Sequence, residues 1–317
     1  MLRTLMSLMP LLALLASGCA APPAETVPAR MTPYLTPDSM VTRDGSHQPL
    51  ASWLPDGRPE AVIIGLHSFG DYHAAFDHLG PWFAAQGMAF YAWDQRGFGA
   101  HPEAGHWPGD APLITDTVDA IQLLDARWHA PIYLLGESMG GGVALITAAE
   151  HPTLPIAGLA LAAPSVRAGL RTRYLWNALF TVGGALMPGA SYTLERDPDD
   201  PRYYPPSAER LANDPNVIHD VRLDTYRDLI RFTDRASDIA ADVRAPMLLL
   251  YGGRDGMIPP VSITRLREAQ PQRLTYHFYP DAPHLLLQAA DWQRYGRDIL
   301  QWIQQSVTGV AAAPTQQ

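Results

Sequence analysis

The chain of 317 residues contains no lysine; all 23 of its basic residues are arginines. No side-chain amine is therefore available for a Schiff base, and no lysine for a nucleotide-binding phosphate loop. Positive charge is scarce altogether. Against 32 acidic residues the formal net charge is −9, and the arginines form no cluster. Nucleic acid is not expected as a partner, because phosphate binding needs concentrated positive charge. Anionic headgroups would be repelled rather than steered in. Cysteine is nearly absent too: Cys19 stands alone and cannot close an internal disulfide. No His-x-x-x-His, cysteine cluster or His-Glu-x-x-His occurs, so no metal site is expected. There is no repeat at a solenoid period. What remains, at 47% hydrophobic and 17% charged, has the composition of a protein with a sizeable core.

The first residues read as an address rather than as fold. Arg3 is followed by the apolar run 5–15 and then by Ala16-Ser17-Gly18-Cys19. The run is shorter than the ~20 residues needed to span a bilayer. It resembles a bacterial lipoprotein signal, which implies a signal peptide over 1–18 and lipidation of Cys19. Ala20 after that cysteine implies anchoring outside the cytoplasm, in the outer membrane facing the periplasm. Residues 19–37, rich in proline, alanine and threonine, read as a flexible tether.

Beyond the tether, Asp44-Gly45 marks a hairpin between 40–43 and 49–54. Apolar strand candidates follow: Ala61–Leu66, Met88–Trp93, Ile132–Leu135, Ile156–Ala162, Met247–Tyr251 and Leu274–Tyr279. Their near-continuous apolar content suits strands buried on both faces of a parallel sheet. Helix-length segments alternate with them: Ala74–Gln86, Leu113–Trp128, Gly140–Glu150 and Val261–Ala269. The alternation predicts an α/β fold with a mostly parallel central sheet and helices on both faces. Residues 164–245 break the rhythm, with no convincing strand, and read as a helical cap inserted between core segments 38–163 and 246–306. Residues 307–317 read as a disordered tail.

The chemistry concentrates at Gly136-Glu137-Ser138-Met139-Gly140, between a buried strand and a helix. Glycines must flank such a serine because the strand-to-helix turn is tight, and the turn lifts the hydroxyl above the sheet. A serine hydroxyl is a weak nucleophile alone, so a base and an orienting acid must follow. In the α/β-hydrolases, which this turn resembles, the order is serine, acid, histidine. Asp255 follows the strand at 247–251, and His284 follows the strand at 274–279. Asp281 shares a loop with His284, and Asp242 precedes its strand, so neither is the expected acid. The backbone N–H groups of Met139 and Phe69 are the expected oxyanion donors. His67 is expected to brace its loop, and Asp94 and Arg96 to form a turn-stabilising charge network.

Taken together, these segments resemble the monoacylglycerol lipase and lysophospholipase branch of the α/β-hydrolases over residues 39–305. The resemblance rests on Asp44-Gly45, His67–Asp71, Asp94–Gly99, Gly136–Gly141, Gly252–Pro259 and Tyr279–His284. Two positions depart from the family pattern: Ser68 stands where glycine is usual, and Ala100-His101 where a serine often occurs. The resemblance implies hydrolysis of small acyl esters such as monoacylglycerols or lysophospholipids, without a cofactor. Peptide or amide hydrolysis, and ligand binding without catalysis, are the alternatives. In the cap, Leu175, Trp176, Leu179, Phe180, Leu186 and Met187 line an acyl pocket, meet a membrane surface, or pack the cap onto the core. No motif speaks to oligomeric state.

Overall fold

The computed structural model describes residues 27–168, 178, 182–183, 186–187 and 189–308. The segment read as a signal, Cys19, and Leu175, Trp176, Leu179 and Phe180 of the expected cap lie outside the described residues. No helix among those described is long and apolar enough to cross a membrane.

The sheet is built from β1 (Tyr34–Leu35), β2 (Ser39–Val41), β3 (His47–Trp53), β4 (Ala61–Leu66), β5 (Met88–Trp93), β6 (Ile132–Glu137), β7 (Ile156–Ala162), β10 (Met247–Gly252) and β11 (Leu274–Tyr279). Its order is β1-β2-β3-β5-β4-β6-β7-β10-β11. Pairing is parallel from β5 through β11 and antiparallel from β1 to β3 and at the β3–β5 junction. Tyr34 and Leu35, in the stretch read as a tether, instead form an edge strand by pairing with β2.

The strands β4, β5, β6 and β10 are buried along their whole length. Side chains alternate between the faces, and each face has its own core. Val62, Ile64, Leu134, Leu161 and Leu249 meet helices α2 (Asp110–Trp128), α3 (Met139–Glu150) and α6 (Pro260–Ala269). Ile63, Phe90, Leu135 and Leu250 meet α1 (Leu79–Ala84) and α7 (Trp292–Val307). Strand β11 departs from the expectation of burial on both faces. It is an edge strand, so most of its side chains are only half-covered.

The expected helix over 74–86 is in fact a short 3-10 turn, His73–Phe76, followed by α1. Pro81 has no amide hydrogen and is accommodated in a helix's first turn, so the helix restarts just ahead of it. Within 164–245 the structure has two short strands, β8 (Ser191–Thr193) and β9 (Asp220–Arg222), paired antiparallel, against the expectation of none. They are three residues each and mostly polar, too short to give a strand pattern. They accompany α4 (Pro205–Asn213) and α5 (Leu223–Ile239). Phe232, Ala236, Ala240 and Val243 share one apolar cluster with α3, so the second half of this segment packs as core.

Arg96 ties the hairpin to the body, in a charge network that does not include Asp94. Its guanidinium donates to Asp44 at 2.7 Å and to Asp116 at 2.7 Å. Asp116 is buried, and burial raises its carboxyl to about 6 despite the arginine. Arg96→Met strands that carboxylate without a counter-charge. The expected loss is about 3 kcal/mol at neutral pH, read from urea unfolding.

Candidate active site

The turn between β6 and α3 is tight at its glycines. A Cβ on Gly136 would overlap the Gly140 carbonyl, and a Cβ on Gly140 would overlap the backbone of Leu66. Ser138 between them has φ 51° and ψ −113°, a strained conformation for a residue with a side chain. Its own carbonyl accepts N–H bonds from Gly141, Gly142 and Ser165, which hold it there.

The structure brings the three expected side chains into one line. His284 Nε2 lies 2.9 Å from Ser138 Oγ, and its Nδ1 lies 2.9 Å from Asp255 Oδ2. The second Asp255 oxygen accepts the Met257 and Ile258 N–H groups at 2.7 and 2.9 Å, so its loop fixes the carboxylate. With Asp255 accepting from Nδ1–H, Nε2 is left free to accept the serine proton. Ser138, Asp255 and His284 follow the ends of β6, β10 and β11, with β7 standing between the first two of these strands. Asp281 pairs instead with Arg254 in solvent, and Asp242 lies ahead of β10, at the opposite sheet edge from Asp255.

Met139 begins α3, and Phe69 packs edge-on against Phe98 in the loop after β4. Neither N–H donates to a described residue. His67 braces that loop. Its Nε2 accepts the Gln95 N–H at 3.0 Å, and its Nδ1 donates to the Ser68 carbonyl at 2.9 Å. Burial holds its imidazole below the usual histidine range. Asp94 receives His73 and the Ala100 N–H, and has no link to Ser138. Of the apolar cap candidates that are described, Leu186 and Met187 are exposed.

Sequence reasoning missed two groups. Ser165 Oγ stands 3.4 Å from Ser138 Oγ, and no motif marks it. Glu137, the variable position of the elbow, is fully buried and accepts the Leu287 N–H at 2.8 Å and the Gln288 amide at 2.9 Å. An acid inside a buried elbow was the available signal. Burial raises this carboxyl to about 7, only partly offset by those two donors. A carboxyl raised on folding stabilises below its unfolded pKa, and that contribution is lost as pH climbs to the folded value. Glu137→Gln removes this loss. Its stability is expected to improve relative to wild type by on the order of 3 kcal/mol from pH 4.5 to above 7, read from urea midpoints.

Among the described residues no group of histidine, cysteine and acidic side chains is arranged to hold a metal. A model of the family described as serine aminopeptidase S33 matches residues 57–291. Monoacylglycerol lipase of Mycolicibacterium smegmatis is 27% identical over 262 residues, covering 79% of this chain and 90% of that one. An uncharacterized abhydrolase domain-containing protein of Dictyostelium discoideum is 22% identical over 275 residues, covering 85% of this chain but 29% of that longer one. Among solved structures, monoacylglycerol lipase of Paleococcus ferrophilus superposes with TM-score 0.67 at 24% identity, covering 82% of this chain and 98% of that one. The fold is that of the α/β-hydrolases.

Proposed function

The chain belongs to the serine aminopeptidase S33 family of α/β-hydrolases, and from that premise we propose that it is a serine hydrolase of carboxylic esters. Its proposed substrates are single-acyl lipids of the monoacylglycerol or lysophospholipid type. The observation that carries this reading is the hydrogen-bonded line Asp255–His284–Ser138 at 2.9 Å per link. The monoacylglycerol lipases among the relatives support the ester class.

On this reading Ser138 Oγ attacks the ester carbonyl while His284 Nε2 takes its proton. Asp255 holds the ring in the tautomer that makes Nε2 the base and stabilises the imidazolium. The Met139 and Phe69 N–H groups receive the negative charge that develops on the carbonyl oxygen. Collapse of the tetrahedral intermediate passes the proton from His284 to the departing alcohol and leaves an acyl-enzyme on Ser138. His284 then takes a proton from water, which attacks the acyl carbon, and the acid departs as Ser138 recovers its proton.

A fluorophosphonate probe tests the nucleophile, and turnover of monoacylglycerols, lysophospholipids and aminoacyl amides tests the substrate class. Labelling at Ser138 with ester turnover is expected. Turnover of aminoacyl amides alone would reject the lipid reading in favour of a peptidase, the alternative that the family's description favours. A wild-type chain that resists the probe, under conditions labelling a control hydrolase, would favour ligand binding without catalysis. The N-terminal segment supports a membrane-tethered enzyme in the outer membrane facing the periplasm. Cys19→Ser should then move the protein from the membrane to the soluble fraction.

A further inference from the structure

The loops bearing the proposed oxyanion donor and base lie more than 200 residues apart in the sequence. A chain of polar groups links them, beginning outside the site, on α4. The guanidinium of Arg210 donates to both oxygens of Asp71 and to Gln288 Oε1 at 2.7 Å. Gln288 Nε2 donates to Asp71 Oδ2 at 3.0 Å and to Glu137 Oε2 at 2.9 Å. Glu137 Oε1 closes the circuit on the Leu287 N–H. Asp71 ends the loop that carries Phe69, Glu137 precedes Ser138, and Leu287 and Gln288 lie just past His284.

Every carboxylate oxygen in this circuit has a partner. Arg210 also lies over the Tyr72 ring at 5.3 Å. Two main-chain links run parallel to the circuit. The Ile218 N–H donates to the Gly70 carbonyl, and the Tyr204 N–H donates to the Gln288 carbonyl. The segment bearing α4 thus grips both loops at once. Arg210 compensates the buried Asp71, whose carboxyl it holds below the usual range against the effect of burial.

We propose that Arg210, acting through Asp71 and Gln288, is a positioning residue. It sets the spacing between the loop of Phe69 and the loop of His284 around Ser138, so the seating of α4 governs turnover rather than substrate affinity. This inference rests on the ester-hydrolase reading above. Displacing either loop moves a donor or the base relative to the reacting carbonyl, and small displacements there are costly to rate. A guanidinium reaches Asp71 and Gln288 together, whereas an ammonium is a single point of charge.

The experiment compares wild type, Arg210→Gln and Arg210→Lys on a p-nitrophenyl ester, with kcat per active site from fluorophosphonate titration and stability from thermal midpoints. Arg210→Gln is expected to lower kcat by roughly 10- to 100-fold with KM within about a factor of two. Arg210→Lys, which keeps the charge beside Asp71, should recover part of that loss. A rise in KM with kcat per titrated site unchanged would overturn the proposal and reduce Arg210 to an anchor for the cap. So would a lysine variant no better than glutamine while equally stable. If Arg210→Gln does not fold, Arg210→Lys alone decides: full wild-type kcat overturns the proposal, and a partial loss at unchanged KM sustains it. Should wild type turn over no ester, the underlying reading fails. The rate of fluorophosphonate labelling then decides positioning, which predicts slower labelling in both variants and fails if the rates match wild type.

Discussion

Ser138→Ala is expected to lower kcat/KM for ester hydrolysis by roughly 10⁴- to 10⁶-fold, while the folded state survives. On the proposed mechanism the Ser138 oxygen is the atom that bonds to the acyl group, so no neighbour substitutes for it. Ser165 Oγ, 3.4 Å away, has no described link to His284 Nε2. The same substitution relieves little packing, since one oxygen is lost from a position held by backbone hydrogen bonds. His284→Ala should fall in the same range, and the double variant should be no worse than either single one, because the groups act as a unit. Steady-state kinetics on a soluble ester, with circular dichroism to confirm folding, provides the measurement. Additive losses in the double variant would mean that Ser138 and His284 do not share one step.

The second large effect is on stability. Gly140→Ala adds a single methyl group, in a helix, which elsewhere is a favourable change. Here that methyl would overlap the carbonyl carbon and oxygen of Leu66. Leu66 ends β4, one of the fully buried strands, and so cannot move without disturbing its neighbours. Helix α3 must lift off the sheet, or the turn at Ser138 must open. A loss of more than about 3 kcal/mol is expected, with an unfolding midpoint in urea shifted accordingly or no folded protein recovered. Gly256→Ala is the control: nothing lies within 4 Å of the added carbon, and the change should stay within about 0.5 kcal/mol. Equal losses in the two variants would contradict the close packing of the elbow.

The same close packing explains why so much of this molecule is legible in its sequence. Strands buried on both faces allow few residue types, so Ala61–Leu66 and Met88–Trp93 stand out from their surroundings with their boundaries intact. The elbow is legible because steric exclusion leaves only glycine at 136 and 140. Asp255 and His284 follow from where their strands end. Legibility fails where tertiary context replaces local rules. β8 and β9 are polar and exist because they pair with each other. β11 reads as apolar, yet an edge position leaves it half-covered. Arg210, Gln288 and Asp71 are ordinary surface residue types, and nothing local marks them for burial. The partners of Arg210 lie 78 and 139 positions away and those of Gln288 up to 217, and only the fold brings them together.

Strands β7 and β10 pair side by side, with Leu159 opposite Met247, yet the whole segment carrying α4 and α5 runs between them. The sheet therefore cannot be completed until that segment has been made and looped back, a closure whose entropic cost grows only slowly with its length. A chain emerging from its N-terminus exposes Ser138 long before Asp255 and His284 exist. On the proposed mechanism, any chain interrupted before His284 carries its nucleophile without a base. Hydrolytic power is then among the last properties the molecule acquires during synthesis, and an unfinished copy is chemically silent.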